Sequence, residues 1–277
     1  MPDGASVGSG LAELLGDADR PGGWLLVVDR IRQSYVDLDD PTYLDFEYLR
    51  SMADLVDARE SGPLAVTHIG GGAFTFARYL AATRPGSSQI VFEPDGALVD
   101  FVRARLPLPR NARIRIRAEA GRPGVQALGD ASADVVVIDA YLGGRVPGEL
   151  TTTEFLTDAA RVLRPGGVLL ANLTDGPPLL YTRRVVAATR SVLPQVLLIG
   201  STGVLGRRRY GNLVLAASRD ALPLREVRQA AASAMFPTRV LAGRTLNDLV
   251  GRAEPLRDHD PMRSPRPPEE GWRVEPG

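Results

Sequence analysis

Between Leu64 and Asp95 the chain reads LAVTHIGGGAFTFARYLAATRPGSSQIVFEPD, and no other stretch constrains the fold as much. Leu64 to Ile69 is a short apolar run with β-branched Val66, Thr67 and Ile69. Stopped by Gly70-Gly71-Gly72, it predicts a buried strand that ends in a tight turn. Apolar residues at helical spacing from Phe74 to Ala82, closed by Arg84-Pro85-Gly86, predict a helix. Gln89 to Phe92 predicts a second strand, with Glu93 at its carboxyl end. Strand, glycine turn, helix, strand and acid, with roughly 20 residues from turn to acid, make the nucleotide-binding half of a doubly wound sheet. Glycines let a ligand approach the backbone, and Glu93 can accept hydrogen bonds from both hydroxyls of a ribose. GGGAFTF is not GxGxxG, so the loop that cradles a dinucleotide pyrophosphate is missing. The alternative is a plain βαβ turn that holds no ligand.

Two more strands end in acids. Arg113 to Arg117 alternates charged and apolar residues and is followed by Glu119. Ala133 to Ile138 (ADVVVI) is an unbroken apolar run of the kind a strand buried on both faces requires, and Asp139 terminates it. Ligands of open α/β sheets bind outside the carboxyl ends of the strands. Glu93, Glu119 and Asp139 therefore point to one crevice, unless they serve only as helix caps.

In chain order, residues 1–23 are small, polar and glycine-rich, which predicts a flexible leader. Residues 24–56 predict a hairpin, Trp24 to Val28 and Ile31 to Val36 turned at Asp29-Arg30, and a linking amphipathic helix from Tyr43 to Val56. Asp37, Asp39 and Asp40 between them are either a solvated capping loop or a cation-attracting rim. Residues 57–253 form the nucleoside-binding domain. Its later elements are a loop from Tyr141 to Leu150, a helix from Thr151 to Leu163 and a strand from Val168 to Leu173. A helix from Pro178 to Val192 precedes the strands Gln195 to Gly200 and Asn212 to Ala217. A link of only about ten residues with no helix makes those last two antiparallel, and Arg207-Arg208-Arg209 within it reads as a solvated hairpin. Helices follow at Leu224 to Met235 and Arg244 to Val250. Residues 254–277 are Pro-rich and charged, which predicts a disordered tail. The fold class is thus α/β: a doubly wound Rossmann-like sheet, mostly parallel with an antiparallel last strand, preceded by a short β-hairpin.

Composition narrows the function. The 277 residues carry 33 basic and 33 acidic side chains, so bulk charge does not drive nucleic-acid binding. With no cysteine there is no thiolate metal site and no Cys nucleophile, and no metal centre is expected. His68, inside the first strand of the nucleoside-binding unit, is expected to pack rather than catalyse. No apolar run nears the roughly 20 residues of a membrane span, and no signal peptide is visible, so a cytoplasmic protein without a membrane partner is expected.

Taken together, the residues resemble the spermidine synthase family, the polyamine aminopropyltransferases, over about Trp24 to Ser218. The resemblance is carried by Gln33 after the hairpin, Gly70-Gly71-Gly72, Glu93, Glu119, and Asp139 opening a gate loop that ends VPGELTTTEF (Val146 to Phe155). It implies a class I methyltransferase-like Rossmann fold. It implies a donor, decarboxylated S-adenosylmethionine or S-adenosylmethionine itself, held by Gln33, the three glycines, Glu93 and Glu119. It implies Asp139 as the base toward a small-molecule amine, with Tyr48 and Tyr141 on the acceptor side, and it allows a homodimer. Three positions depart from the family pattern: Ala73 and Leu142 stand where the family has acids, and Leu49 where it has histidine. A methyltransferase and a non-catalytic nucleoside-binding module are the other readings.

Overall fold

A computed structural model describes residues 3–268 and Val274. The chain opens with four antiparallel strands in the order β1-β2-β3-β4: β1 (Asp3–Val7), β2 (Gly10–Gly16), β3 (Gly23–Val28) and β4 (Ile31–Asp37). The sequence predicted a flexible leader up to residue 23, and instead two strands stand there. Their small residues give little local strand signal, and tertiary contacts supply the order. Gly8 N, Ser9 N and Ser9 Oγ donate to the Asp95 carboxylate at 3.1, 2.8 and 2.7 Å. Ala12 and Leu14 pack with Leu26, Val28 and Val36 against Phe74 and Ala77 of the following domain. The β3–β4 turn is made by Asp29 and Arg30, both at positive φ (47° and 65°), as the tightest hairpins demand.

After α1 (Glu47–Asp57) comes the main sheet. β5 (Ala65–Ile69), α2 (Thr75–Thr83), β6 (Ser88–Phe92), α3 (Gly96–Arg105), β7 (Arg113–Arg117), α4 (Gly121–Gln126) and β8 (Ala133–Ile138) alternate strand and helix. Then follow α5 (Thr153–Val162), β9 (Leu163–Asp175), α6 (Leu180–Arg190), β10 (Gln195–Ser201), α7 (Thr202–Leu205), β11 (Gly211–Ser218), α8 (Leu224–Ser233), β12 (Thr238–Ala242) and α9 (Arg244–Val250). The strand order is β12-β10-β11-β9-β8-β5-β6-β7. Strands β5 to β9 are parallel, β11 runs against β9, and β10 and β12 complete an antiparallel edge. The edge strand β12 was not foreseen; TRVLA is too short and too polar to announce itself.

Strand β8 shows how the apolar run is used. Successive side chains of a strand face opposite sides. Val135 and Val137 pack with α1, α2 and α8, while Val136 and Ile138 pack with α5, α6 and α9. Burial on both faces pins this strand at the centre, and with it the position of Asp139 at its end.

Residues 254–268 were expected to be disordered and are not. Leu256 and Ser264 are fully buried, Thr153 N donates to Leu256 O at 2.9 Å, and Arg184 pairs with Asp260 at 2.6 Å. Proline prevents regular strand or helix bonding here, yet the segment is fixed by individual backbone and side-chain contacts. The rest of the predicted tail, 269–273 and 275–277, lies outside the described residues, as do Met1 and Pro2.

Candidate functional site

The glycine turn stands at the carboxyl end of β5, where Gly70 and Gly72 adopt φ of 96° and 50°. A Cβ on Gly70 would run into the carbonyl of Asp139, so glycine lets the ends of β5 and β8 come together. Glu93 closes the other side: its Oε2 accepts the Gly71 N–H at 2.9 Å and its Oε1 the Asp95 N–H at 3.1 Å. Turn and acid, read from the sequence as parts of one site, are directly bonded. Each carboxylate oxygen keeps a second lone pair for a hydroxyl donor. Burial raises the Glu93 carboxyl above its ordinary value, against the backbone bonds that lower it.

Asp139 is held at both oxygens. Tyr48 Oη donates to Oδ2 at 3.0 Å, and Asn172 Nδ2 donates to Oδ1 at 2.9 Å. Asn212 Nδ2 in turn donates to Asn172 Oδ1 at 3.0 Å, which fixes the Asn172 amide. Burial pushes the Asp139 carboxyl up, and the bonds from Asn172 and Tyr48 oppose it. Burial, with the Asp139 charge second, holds the Tyr48 phenol far above its ordinary value, so Tyr48 remains a proton donor to the carboxylate.

Asp139 lines one cavity, and the two side chains that hold it, Tyr48 and Asn172, line a second. The smaller, about 30 Å³, is lined by Gly70, Gly71, Ser34, Tyr48, His68 and Asp139. The larger, about 440 Å³, lies between the N-terminal sheet, α1 and the β10–β11 edge; Gln33, Tyr48, Tyr141, Asn172 and Asn212 are in its wall. Tyr48 belongs to both. Gln33 and Ser34, neighbours on β4, line different cavities, as alternate strand residues do. The sequence grouped Gln33 with the nucleoside residues, but it stands on the larger cavity. Glu119, two residues beyond β7, lines neither.

Asn172, Asn212 and Ser34 were missed by the sequence reading. The available signal was an amide inside an otherwise apolar strand, at Asn172 in β9 and at Asn212 in β11. Ala73 is fully buried under β4, with its N–H donated to Ser34 Oγ at 3.2 Å. It lines neither cavity and packs in the seam between the two sheets. Leu49 is buried beside the small cavity. His68 is buried, with Nε2 2.9 Å from Gln89 Oε1. Gln89 Nε2 donates to Ala77 O, so its oxygen accepts the imidazole N–H. Of the acidic cluster, Asp37 is buried, pairs with Arg20 at 2.7 Å and accepts the N–H groups of Asp39 and Asp40; it organises a turn. Among the described residues no group of three or more His, Cys, Asp or Glu could hold a metal, and no helix is long and apolar enough to cross a membrane.

The gate loop follows Asp139. Gly143 and Gly144 turn it at φ 59° and 72°, and Leu142 at the tip is 55% exposed. The C-terminal segment braces it from behind. Val146 N donates to Ser264 Oγ at 2.9 Å, Arg145 Nε to Ser264 O at 2.6 Å, and Thr174 Oγ1 to Ser264 Oγ at 3.1 Å. Tyr210 Oη, on the cavity wall, donates to Pro265 O at 3.1 Å.

No family model matches the chain. Over 144 residues, 52% of the chain, it is 28% identical to the polyamine aminopropyltransferase of Chromobacterium violaceum, and the match covers 55% of that protein. The chain spans about half the length of the curated relatives it matches. Among solved structures, a probable spermidine synthase from Corynebacterium glutamicum superposes with a TM-score of 0.86 and 28% identity, over 93% of this chain and 96% of that one. The spermidine synthase from Thermotoga maritima gives 0.62 at 16% identity, over 90% and 86% of the two chains. Human methyltransferase-like protein 13 gives 0.54 at 18%, over 77% and 96%. The last two likenesses concern the fold alone. The glycine turn bonded to Glu93, the buried carboxylate of Asp139 and these comparisons agree: the chain is similar in sequence and structure to polyamine aminopropyltransferases and a probable spermidine synthase, on a methyltransferase-like fold.

Proposed function

We propose that this chain is a transferase that moves an aminopropyl group from decarboxylated S-adenosylmethionine to a small-molecule amine. The observation that carries the reading is the placement of Asp139. This carboxylate lines the small cavity at the glycine turn, and the side chains that hold its two oxygens, Tyr48 and Asn172, line the large one, which is open to an acceptor. In this reading Glu93 accepts the ribose hydroxyls, Gly70 to Gly72 let the nucleoside approach, and Glu119 serves the adenine end from the neighbouring strand end. Gln33, Tyr48 and Tyr141 guide the acceptor.

The chemistry needs little more. An ammonium has no lone pair, so the Asp139 carboxylate takes its proton. The freed nitrogen forms a bond to the methylene next to the sulfonium. The carbon–sulfur bond breaks, its electron pair returns to sulfur, and neutral methylthioadenosine leaves. Because the sulfonium is already activated, orientation supplies much of the rate.

One observation favours a second reading. With Ala73 turned into the seam and Leu142 at an exposed loop tip, neither position supplies a carboxylate to the cavities, so a donor carboxylate meets two fewer repelling groups than the family pattern would give it. S-adenosylmethionine is then the competing donor and methyl transfer the competing reaction. Supplying both donors with a panel of amines and identifying the leaving nucleoside decides between them: methylthioadenosine supports the proposal, S-adenosylhomocysteine overturns it. Asp139→Asn should lower turnover by roughly 10²-fold or more while sparing nucleoside binding.

A further inference from the structure

The run Arg207-Arg208-Arg209 has no part in the chemistry above. All three side chains are exposed, but only Arg209 lines the large cavity. Its guanidinium donates to Ser201 Oγ at 3.0 Å, and it forms no ion pair with a described carboxylate. The other charged residues of that wall are Arg32, Asp45 and Glu47. Arg32 and Asp45 pair with each other at 3.2 Å, and Glu47 stays exposed in the first turn of α1.

The wall of the larger cavity is therefore balanced in charge, with one uncommitted arginine against one uncommitted carboxylate, and the Asp139 carboxylate stands behind Tyr48 and Asn172. An acceptor bearing two or more ammonium groups needs an excess of carboxylate around it. It would meet Arg209 instead, and a like charge on the wall selects against a ligand. A guanidinium presents a planar fork of donors that matches an oxyanion, and carboxylates and phosphates are its usual partners. The cavity, about 440 Å³, lies within the range of ordinary small-molecule sites of roughly 300–1,000 Å³, so it has room for a chain linking two different ends.

Building on the transferase reading, we infer that the acceptor is an amine that also carries an oxyanion, with the amine delivered to Asp139 and the carboxylate or phosphate held by Arg209. The run read from sequence as a solvated hairpin thus contributes one specificity-determining side chain.

The test uses the whole protein saturated with methylthioadenosine. ω-Aminovalerate, cadaverine and aminoethyl phosphate are titrated in by calorimetry, and each is then offered with decarboxylated S-adenosylmethionine for product mass analysis. The oxyanion-bearing amines should bind at least about tenfold tighter than the diamine, and the tighter of the two identifies the anion. Arg209→Ala should abolish that preference and Arg209→Glu should reverse it; the position is exposed, and melting curves check the fold. Tighter binding of cadaverine, or a preference unchanged in Arg209→Ala, overturns the inference. An aminopropylated diamine formed independently of Arg209 would do so while leaving the transferase reading intact. Bound nucleoside with no product from any acceptor overturns both.

Discussion

Asn172 donates its amide N–H to Asp139 across 2.9 Å while its own oxygen is held by Asn212 at 3.0 Å. The amide is thus locked as a donor toward the carboxylate. Burial raises the Asp139 carboxyl, and the bonds from Asn172 and Tyr48 restrain the rise. A base must be ionised to act, so turnover should fall on the acid side with a midpoint above the ordinary aspartate value of about 3.9. Asn172→Ala removes one restraining bond and should move that midpoint further up. The pH–rate profiles of the two proteins check this; coincident acid limbs would show that Asn172 does not tune the base.

Glu93 offers a separable prediction because it has two duties. It ties Gly71 and Asp95 together, and in the proposed function it binds the ribose. Two charge-assisted bonds are worth roughly 2–4 kcal/mol, so Glu93→Ala should weaken methylthioadenosine binding by at least about tenfold. Glu93→Gln keeps the shape and an acceptor oxygen for the turn. Weakened binding in the Gln variant at an unchanged melting temperature assigns the loss to the ligand. Unaltered affinity in both variants would remove Glu93 from the nucleoside site.

His68 should make stability depend on pH. Burial pushes its imidazole down to about 4 from 6.5, with the Gln89 bond opposing weakly. Its folded value lies below its unfolded value, so its contribution is fully present above 6.5 and is lost as pH falls toward about 4. The loss levels off there, at a total on the order of 3 kcal/mol. Urea titrations across this window should show the decline in the parent protein. His68→Gln, whatever its absolute stability, should lack that part of the slope. Parallel slopes would mean that the imidazole protonates without cost.

Ser264 is the joint between the C-terminal segment and the gate loop. Ser264→Ala leaves the buried Val146 N–H without its side-chain acceptor, a cost of about 1–3 kcal/mol. Because the bond holds a loop beside the larger cavity, the variant should be cleaved faster by protease between Tyr141 and Leu150. It should also show a weakened KM for the acceptor at an unchanged affinity for methylthioadenosine. Uniform loss of stability with no preferential cleavage would make Ser264 an ordinary core contact.

Legibility in the sequence followed the range of the forces involved. Strand β8 was readable to the residue, because burial on both faces demands an unbroken apolar run. The β5–turn–α2–β6 unit was readable because its signals are local: β-branched residues, glycines, then helical spacing. What escaped depended on partners far along the chain. Strands β1 and β2 are ordered by Asp95 and by packing on Phe74, neither visible in a run of small polar residues. Ser264 looks like any serine in a proline-rich stretch until Val146 and Thr174 are brought to it. At the site, Glu93, Asp139 and the glycines were legible as ends of strands. Which cavity Gln33 would face was not legible, because a strand's facing depends on register, which β4 takes from its pairing with β3. Ala73, which stands where the family has an acid, is buried in the seam between the two sheets, a placement its sequence neighbours do not announce.

At the β3–β4 turn, Val274 N donates to Arg30 O at 2.8 Å, and Arg30 Nε and Nη2 donate to Val274 O at 3.0 and 2.8 Å. These contacts join positions 244 apart and close most of the chain into a ring. Closing so long a loop costs entropy before it returns any bond, so this clasp should form after the strand–helix units that need only neighbours. Its bonds are exposed, and such bonds open at little cost. The Val274 amide should therefore exchange with solvent orders of magnitude faster than that of Val136, and the clasp can release and re-form while the sheet beneath it stays intact.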